Sequence, residues 1–288
     1  MIPYGVGSYL VSLLFGSRML RNMFWRSRDI KVRRFLDSIK SSASAEDALC
    51  QSLVSGKFVA WRLTAISRNY DECANKWIHI DGLEQVEENY RRDKRLIVIN
   101  SHYGLPRIVP QLLSRMGYPL QTIAARPFYD GLDLPEWKSI STQQLRDSQF
   151  FAKHIFIALK AIKAGKIFHT MADGVHGKAL IELPILGRQR SFLKSYASLA
   201  LSSGADVVPV FARIELSGHI TIKFYPSLDK GRDDMAQEDR ISQMVRQYVS
   251  LLSDEYMRDP GSVHLKHMNR FLDYPLSETD DNVLDTAA

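Results

Sequence analysis

Along the 288 residues, the spacing of apolar positions changes character near residue 95. Before it, "SSASAEDALCQSLVSGKFVAWRLTAISRNY" opens on Ser and Asp and carries apolar residues at helical spacing, so residues 35–92 read as helices. Beyond it, short β-rich runs ("RLIVIN", "PLQTIAA", "KIFHTMAD", "DVVPVFARI", "HITIKFY") alternate with helical stretches ("LPRIVPQLLSRMG", "QLRDSQFFAKHIFIALKAIKAG", "KSYASLALSSG"). Such alternation predicts an α/β layered domain with a mostly parallel central sheet flanked by helices, plus a helical N-terminal extension. A last helix, "QEDRISQMVRQYVSLLSDEYMRD", ends at Pro260, and the polar end of the chain, residues 276–288, reads as a flexible tail. No repeat or Gly/Ser/Pro linker divides residues 35–275, which read as one domain.

The first 34 residues form a separate pattern. "MIPYGVGSYLVSLLFG" is apolar, and basic residues follow at 18, 21, 26, 28, 31, 33 and 34. The apolar part falls short of the roughly 20 residues that span a bilayer, and its basic cluster follows it, unlike that of a signal peptide. The pattern suits an interfacial anchor on an anionic membrane surface, or else a core helix followed by a solvated basic face; the first is the reading adopted. A net charge of +6 is consistent with either. Two cysteines, Cys50 and Cys73, give neither a disulfide framework nor metal-ligand spacing.

Candidate chemistry gathers at strand ends, where open α/β sheets bind ligands. His102 follows "LIVIN" and Asp173 ends "IFHTMAD", so both stand just past predicted strands and can converge on one cleft. Gly104, two residues after His102, would let backbone or ligand approach closely. The chain holds no phosphate-binding glycine loop, no dinucleotide fingerprint and no G-x-S-x-G elbow. His264 and His267 lack a carboxylate-rich partner motif, so no metal is expected there, and no RNP-like or helix-turn-helix signature supports nucleic acid. His154 and His169 read as structural, and the apolar face of "DSQFFAKHIFIALKAI" reads as core in preference to an acyl groove.

Five blocks in order carry a resemblance across nearly the whole chain: "INSHYG", "TIAARPFYD", "ALKAIKAGKIFHTMADGVHGK", "LPILGRQRSFLKSYASLALSSGADVVPVFARI" and "EYMRDPGSVHLKHMNRF". They resemble the bacterial lipid A biosynthesis (late) acyltransferases, a branch of the lysophospholipid acyltransferase superfamily. The resemblance implies a His general base, here His102, and transfer of a fatty acyl chain from an acyl-carrier-protein or CoA thioester to a hydroxyl or amine of a lipid, glycolipid or lipid A-like acceptor. It implies no cofactor and a place on the cytoplasmic face of the bacterial inner membrane, peripheral or N-terminally anchored. It also implies that Arg126 binds the acceptor's anionic group; Arg188 and Arg190 are placed around the same headgroup because arginine forks suit phosphate geometry, and Gly104 and Arg107 are counted with them as substrate-binding.

The chain departs from the family at one informative place. The family motif is H-x4-D/E, and position 107 is Arg107. Arginine cannot accept a hydrogen bond from an imidazole, and a nearby like charge lowers a histidine's pKa. Val263 and Leu265 also stand near places where the family has tryptophans. Three accounts remain open. Another carboxylate could orient His102, Asp173 first and Asp130 or Asp133 behind it. His102 could act alone with a depressed pKa. Or the protein could be an inactive lipid- or carrier-binding homologue. An acyltransferase of a specialised metabolite pathway is a further alternative.

Overall fold

The computed structural model describes residues 2–57, 59–124, 137–141, 150–174 and 180–276. Six helices come first: α1 Tyr4–Gly16, α2 Arg18–Phe24, α3 Arg26–Ser38, α4 Ala45–Lys57, α5 Val59–Arg68 and α6 Tyr70–Trp77. Strand β1, Ile78–Asp81, interrupts the region expected to be wholly helical. Then come α7 Glu84–Asp93, β2 Leu96–Asn100, α8 Ile108–Arg115, β3 Leu120–Ala124, β4 Trp137–Ser141, α9 Phe150–Lys163 and β5 Ile167–Met171. The chain closes with β6 Leu180–Ile185, β7 Arg188–Leu193, α10 Ser195–Ser203, β8 Asp206–Ile214, β9 Ile220–Phe224, α11 Gln237–Arg258 and α12 Leu265–Leu272.

Seven strands form one sheet in the order β1-β9-β8-β2-β5-β3-β4, and only the β8–β9 pair is antiparallel. This is the mixed α/β architecture with a mostly parallel sheet. Every residue of β2 is buried, as expected of a central strand covered by helices on both faces. One core layer gathers Ile97, Ile99, Phe168, Val207 and Phe211 with α11 residues such as Val245 and Tyr248. The opposite layer gathers Leu96, Val98, Val208 and Val210 with Ile108 and Leu112 of α8.

The segment expected to be a P-x-x-G-R loop is instead the turn of a β-hairpin. Strands β6 and β7 pair antiparallel with Ile185 opposite Arg188, leaving Leu186 and Gly187 as a two-residue turn. Both turn residues have positive φ (48° and 76°), the backbone that matches the twist of a tight hairpin. Helix α3 runs across residue 34 to Ser38 and buries Val32, Phe35 and Leu36 in the core. Helix α1 lies against the domain through Tyr4, Val11 and Phe15, and the Tyr4 hydroxyl donates to the Gly218 carbonyl at 2.7 Å. Among the described residues no helix is long and apolar enough to cross a membrane.

Candidate active site

β2 and β5 are neighbouring parallel strands whose register pairs Asn100 with Met171. The ladder continues one step further, Ala172 N–H donating to the Asn100 carbonyl at 2.8 Å. His102 and Asp173 are each two residues past that matched pair, so the register itself delivers them to the same place above the sheet. His102 Nδ1 lies 2.8 Å from Asp173 Oδ1, and the His102 backbone N–H donates to Oδ2 at 2.9 Å. The carboxylate is thus held at both oxygens by one residue. Its side chain is 1% exposed, while the His102 side chain is 42% exposed. With Nδ1 engaged, Nε2 is the nitrogen left for a reactant.

Asp173 is backed by Arg190. On β7 alternate residues face inward, so Arg190 and Phe192 share the buried face. Arg190 is 5% exposed. Its Nη2 donates to the Asp173 carbonyl at 2.7 Å and lies 3.8 Å from Oδ2. Burial alone would push the Asp173 carboxyl up, but the His102 imidazole and the Arg190 guanidinium outweigh it and hold the carboxyl well below its usual value. The Asp173 carboxylate in turn raises the His102 pKa against the opposing effect of burial. The depressed value expected from Arg107 is therefore reversed, because the dominant charge at the imidazole is negative. Arg107 is exposed at the start of α8, and its charge acts on His264.

Other sequence candidates fall in different places. Gly104 has φ +58°, and a Cβ there would stand 1.9 Å from the Ala212 carbonyl oxygen. The close approach it permits is thus to β8, not to a ligand. Its own N–H donates to the Ser262 carbonyl at 2.8 Å, which ties the loop after His102 to the C-terminal block. Arg188 Nη1 donates to the Leu272 and Tyr274 carbonyls at 3.0 and 2.6 Å, so its guanidinium is spent on fastening the end of α12 to the hairpin. Arg190 likewise serves the buried carboxylate and not an open anion site. Arg126, Asp130 and Asp133 lie outside the described residues. His169 is buried within β5. Ala158 and Ile162 of α9 join the core.

The two histidines set aside in the sequence are part of this site. The His267 ring stacks on His102 with centroids 5.0 Å apart and planes 23° apart, and His264 stands 6.3 Å from His267. Burial depresses His264 to about 4 and His267 to about 3, so both are neutral at pH 7. Arg270, three residues beyond His267 on α12, acts electrostatically on His102. Their common signal was the spacing of 264, 267 and 270 after a proline: His264 stands at the N-cap of α12, and His267 and Arg270 are neighbours three residues apart on it.

A model of the bacterial lipid A biosynthesis acyltransferases matches residues 19–260. The chain belongs to that family. It is therefore placed among acyltransferases of lipid metabolism. No curated protein matches. Among solved structures, the 1-acyl-sn-glycerophosphate (LPA) acyltransferase PlsC from Thermotoga maritima is similar over 87% of this chain and 97% of its own. Its identity is 15% and its TM-score 0.40.

Proposed function

We propose that this family member transfers a fatty acyl chain from an acyl-carrier-protein or CoA thioester to a hydroxyl or amine of a lipid, glycolipid or lipid A-like acceptor. His102 is the general base and Asp173 its orienting carboxylate. The observation that carries this reading is the pairing of a half-exposed imidazole with a buried carboxylate 2.8 Å away. In the reaction His102 Nε2 takes the acceptor's proton as its oxygen or nitrogen attacks the thioester carbonyl. Collapse of the adduct breaks the C–S bond, and the imidazolium returns the proton to the departing thiolate. Asp173 fixes the tautomer with the proton on Nδ1 and stabilises the imidazolium. No metal or cofactor is required by these steps.

The protein works, on this reading, at the cytoplasmic face of the inner membrane. Helix α1 supports it: while Tyr4, Val11 and Phe15 face the domain, Val6, Tyr9, Leu13 and Leu14 are exposed, as are Met19, Met23 and Phe24 just beyond. Apolar surface beside a run of arginines is what interfacial binding to anionic lipid needs.

The test is an acyl-transfer assay with purified protein, acyl-carrier-protein and CoA thioesters, and a crude lipid extract, with products read by mass spectrometry. An acylated product that disappears in His102→Ala supports the reading, and its mass names the acceptor. No product with any donor, while lipid or carrier still binds, would favour the inactive homologue instead.

A further inference from the structure

Helices α3 and α12 pack through Phe35 and Phe271, whose rings meet edge to face at 5.4 Å. A cavity of 570 Å³ involves both helices, a volume in the range of small-molecule sites. Arg28 and Lys31 of α3, three residues apart and so neighbours on that helix, line it with Lys266 and Asn269 of α12 and the imidazoles of His264 and His267. Among the described residues none of its lining is acidic. Arg28 is half-buried, and Lys31 and Lys266 are exposed. Among the described residues none of these three cations forms an ion pair, and the carboxylate nearest in sequence, Asp29, is taken by Arg33 at 2.8 Å. Cations brought to one cavity without a counter-charge repel one another, a cost that a bound anion removes. The cavity also adjoins the candidate base, since His267 in its wall stacks on His102.

We propose that this cavity binds a phosphoester group of one of the reactants, held by Arg28, Lys31 and Lys266 while the reacting end lies at His102. This deepens the acyl-transfer reading and rests on it. A phosphoester is the charged group common to the pantetheine arm of a thioester donor and to a phosphorylated lipid headgroup. Three cations around a cavity, with a guanidinium among them, suit its several acceptor oxygens. The neutral histidines add polarity without adding charge.

Calorimetric titration of the full-length protein tests this with 4′-phosphopantetheine and glucosamine 1-phosphate, each beside its dephosphorylated counterpart. It is repeated in the triple variant Arg28→Gln, Lys31→Gln, Lys266→Gln. At least one phosphorylated probe should bind about tenfold more tightly than its counterpart, and the variant should lose that difference. Preference for phosphopantetheine makes the donor the source of the phosphate, and preference for glucosamine 1-phosphate makes it the acceptor. If the triple variant fails to fold, the pair Lys31→Gln, Lys266→Gln, both exposed, should still weaken the preference. No binding, equal binding with and without phosphate, or a preference that survives these changes would overturn the proposal. Binding without turnover in the wild type would sink acyl transfer and leave the phosphoester site standing. Turnover with an unaltered preference in the variants would sink only the phosphoester site.

Discussion

Replacing Asp173 by Asn tests the arrangement where it is most specific. The amide is almost isosteric, and its oxygen can still accept from the His102 backbone N–H that now meets Oδ2 at 2.9 Å. Its NH2 group then faces Nδ1 at the position of the present 2.8 Å contact. A donor there selects the tautomer with the proton on Nε2, so the nitrogen meant to accept becomes a donor. The same inversion in serine proteases costs about 10⁴ in kcat, or about 5.5 kcal/mol of transition-state stabilisation. Because Asp173 is fully buried, little water is present to take over its role, and a loss of about 10² to 10⁴ in kcat/KM is expected. The pH dependence supplies an independent sign. In the wild type Asp173 raises the His102 pKa above 6.5, so the acid limb of kcat/KM lies above that value and activity grows as the imidazole loses its proton. Without the carboxylate, burial is left to lower the pKa, and the limb moves to lower pH. Steady-state assays from pH 5 to 9, with thermal unfolding to show that the variant is folded, give both quantities. A folded Asp173→Asn protein within threefold of wild type, with its acid limb unmoved, would refute the orienting role.

Gly104→Ala should destabilise the protein by at least about 3 kcal/mol, since it adds a positive-φ cost of roughly 1–2 kcal/mol to a backbone collision. The collision is with the carbonyl that also accepts from Leu105 at 2.7 Å, and calorimetry should show a Tm about 6–12 °C lower. Arg190→Met removes a counter-charge from the buried carboxylate and should cost about 3 kcal/mol in urea unfolding, whereas Arg188→Met should leave kcat/KM nearly unchanged. Acid should destabilise the fold through His264 and His267. Their folded pKa values of about 4 and about 3 lie below the ordinary 6.5, so the unfolded chain takes protons first and stability present above pH 6.5 is lost as pH falls toward 3. After discounting for solvent this is on the order of 2 kcal/mol each, and His267→Gln should flatten the dependence of unfolding free energy on pH.

Much of the sheet was legible because β2 and β8 are apolar on both faces and β9 alternates apolar with polar residues, and such runs fixed β2, β5, β8 and β9 within a residue or two. His102 and Asp173 stood out for the same reason: each follows such a run at the same offset. The hairpin was hidden because its turn is Leu186–Gly187, without the Asn-Gly or Asp-Gly that usually marks a two-residue connection. Strand β1 has four residues directly after a helix, too few to show a period. Arg190 was readable as polar but not as inward-facing until Phe192 could be placed on the same side of β7. His264 and His267 lie some 160 residues from His102 in the chain, and backbone contacts such as Gly104–Ser262 and the Tyr103–Val263 bridge bring them together.

The arginine at position 107 then has a physical account. A carboxylate on α8 would be an exposed group competing with water, where a charge pair is worth little. Asp173 reaches the same imidazole from the neighbouring strand, buried, fixed by the strand register and held ionised by Arg190. With that carboxylate in place, the proposed orientation of His102 needs no second acidic group at 107, and the cation there acts electrostatically on His264, adding to the burial that keeps its imidazole neutral. Arg107→Glu should accordingly change kcat/KM by less than about tenfold, in line with the small energies of exposed charges, while Asp173→Asn abolishes most of it. The double variant decides between the two origins of the orienter. If Arg107→Glu restores activity to Asp173→Asn, the carboxylate of this site can be supplied from α8 after all. If the double variant stays as slow as Asp173→Asn alone, orientation of His102 belongs to the end of β5.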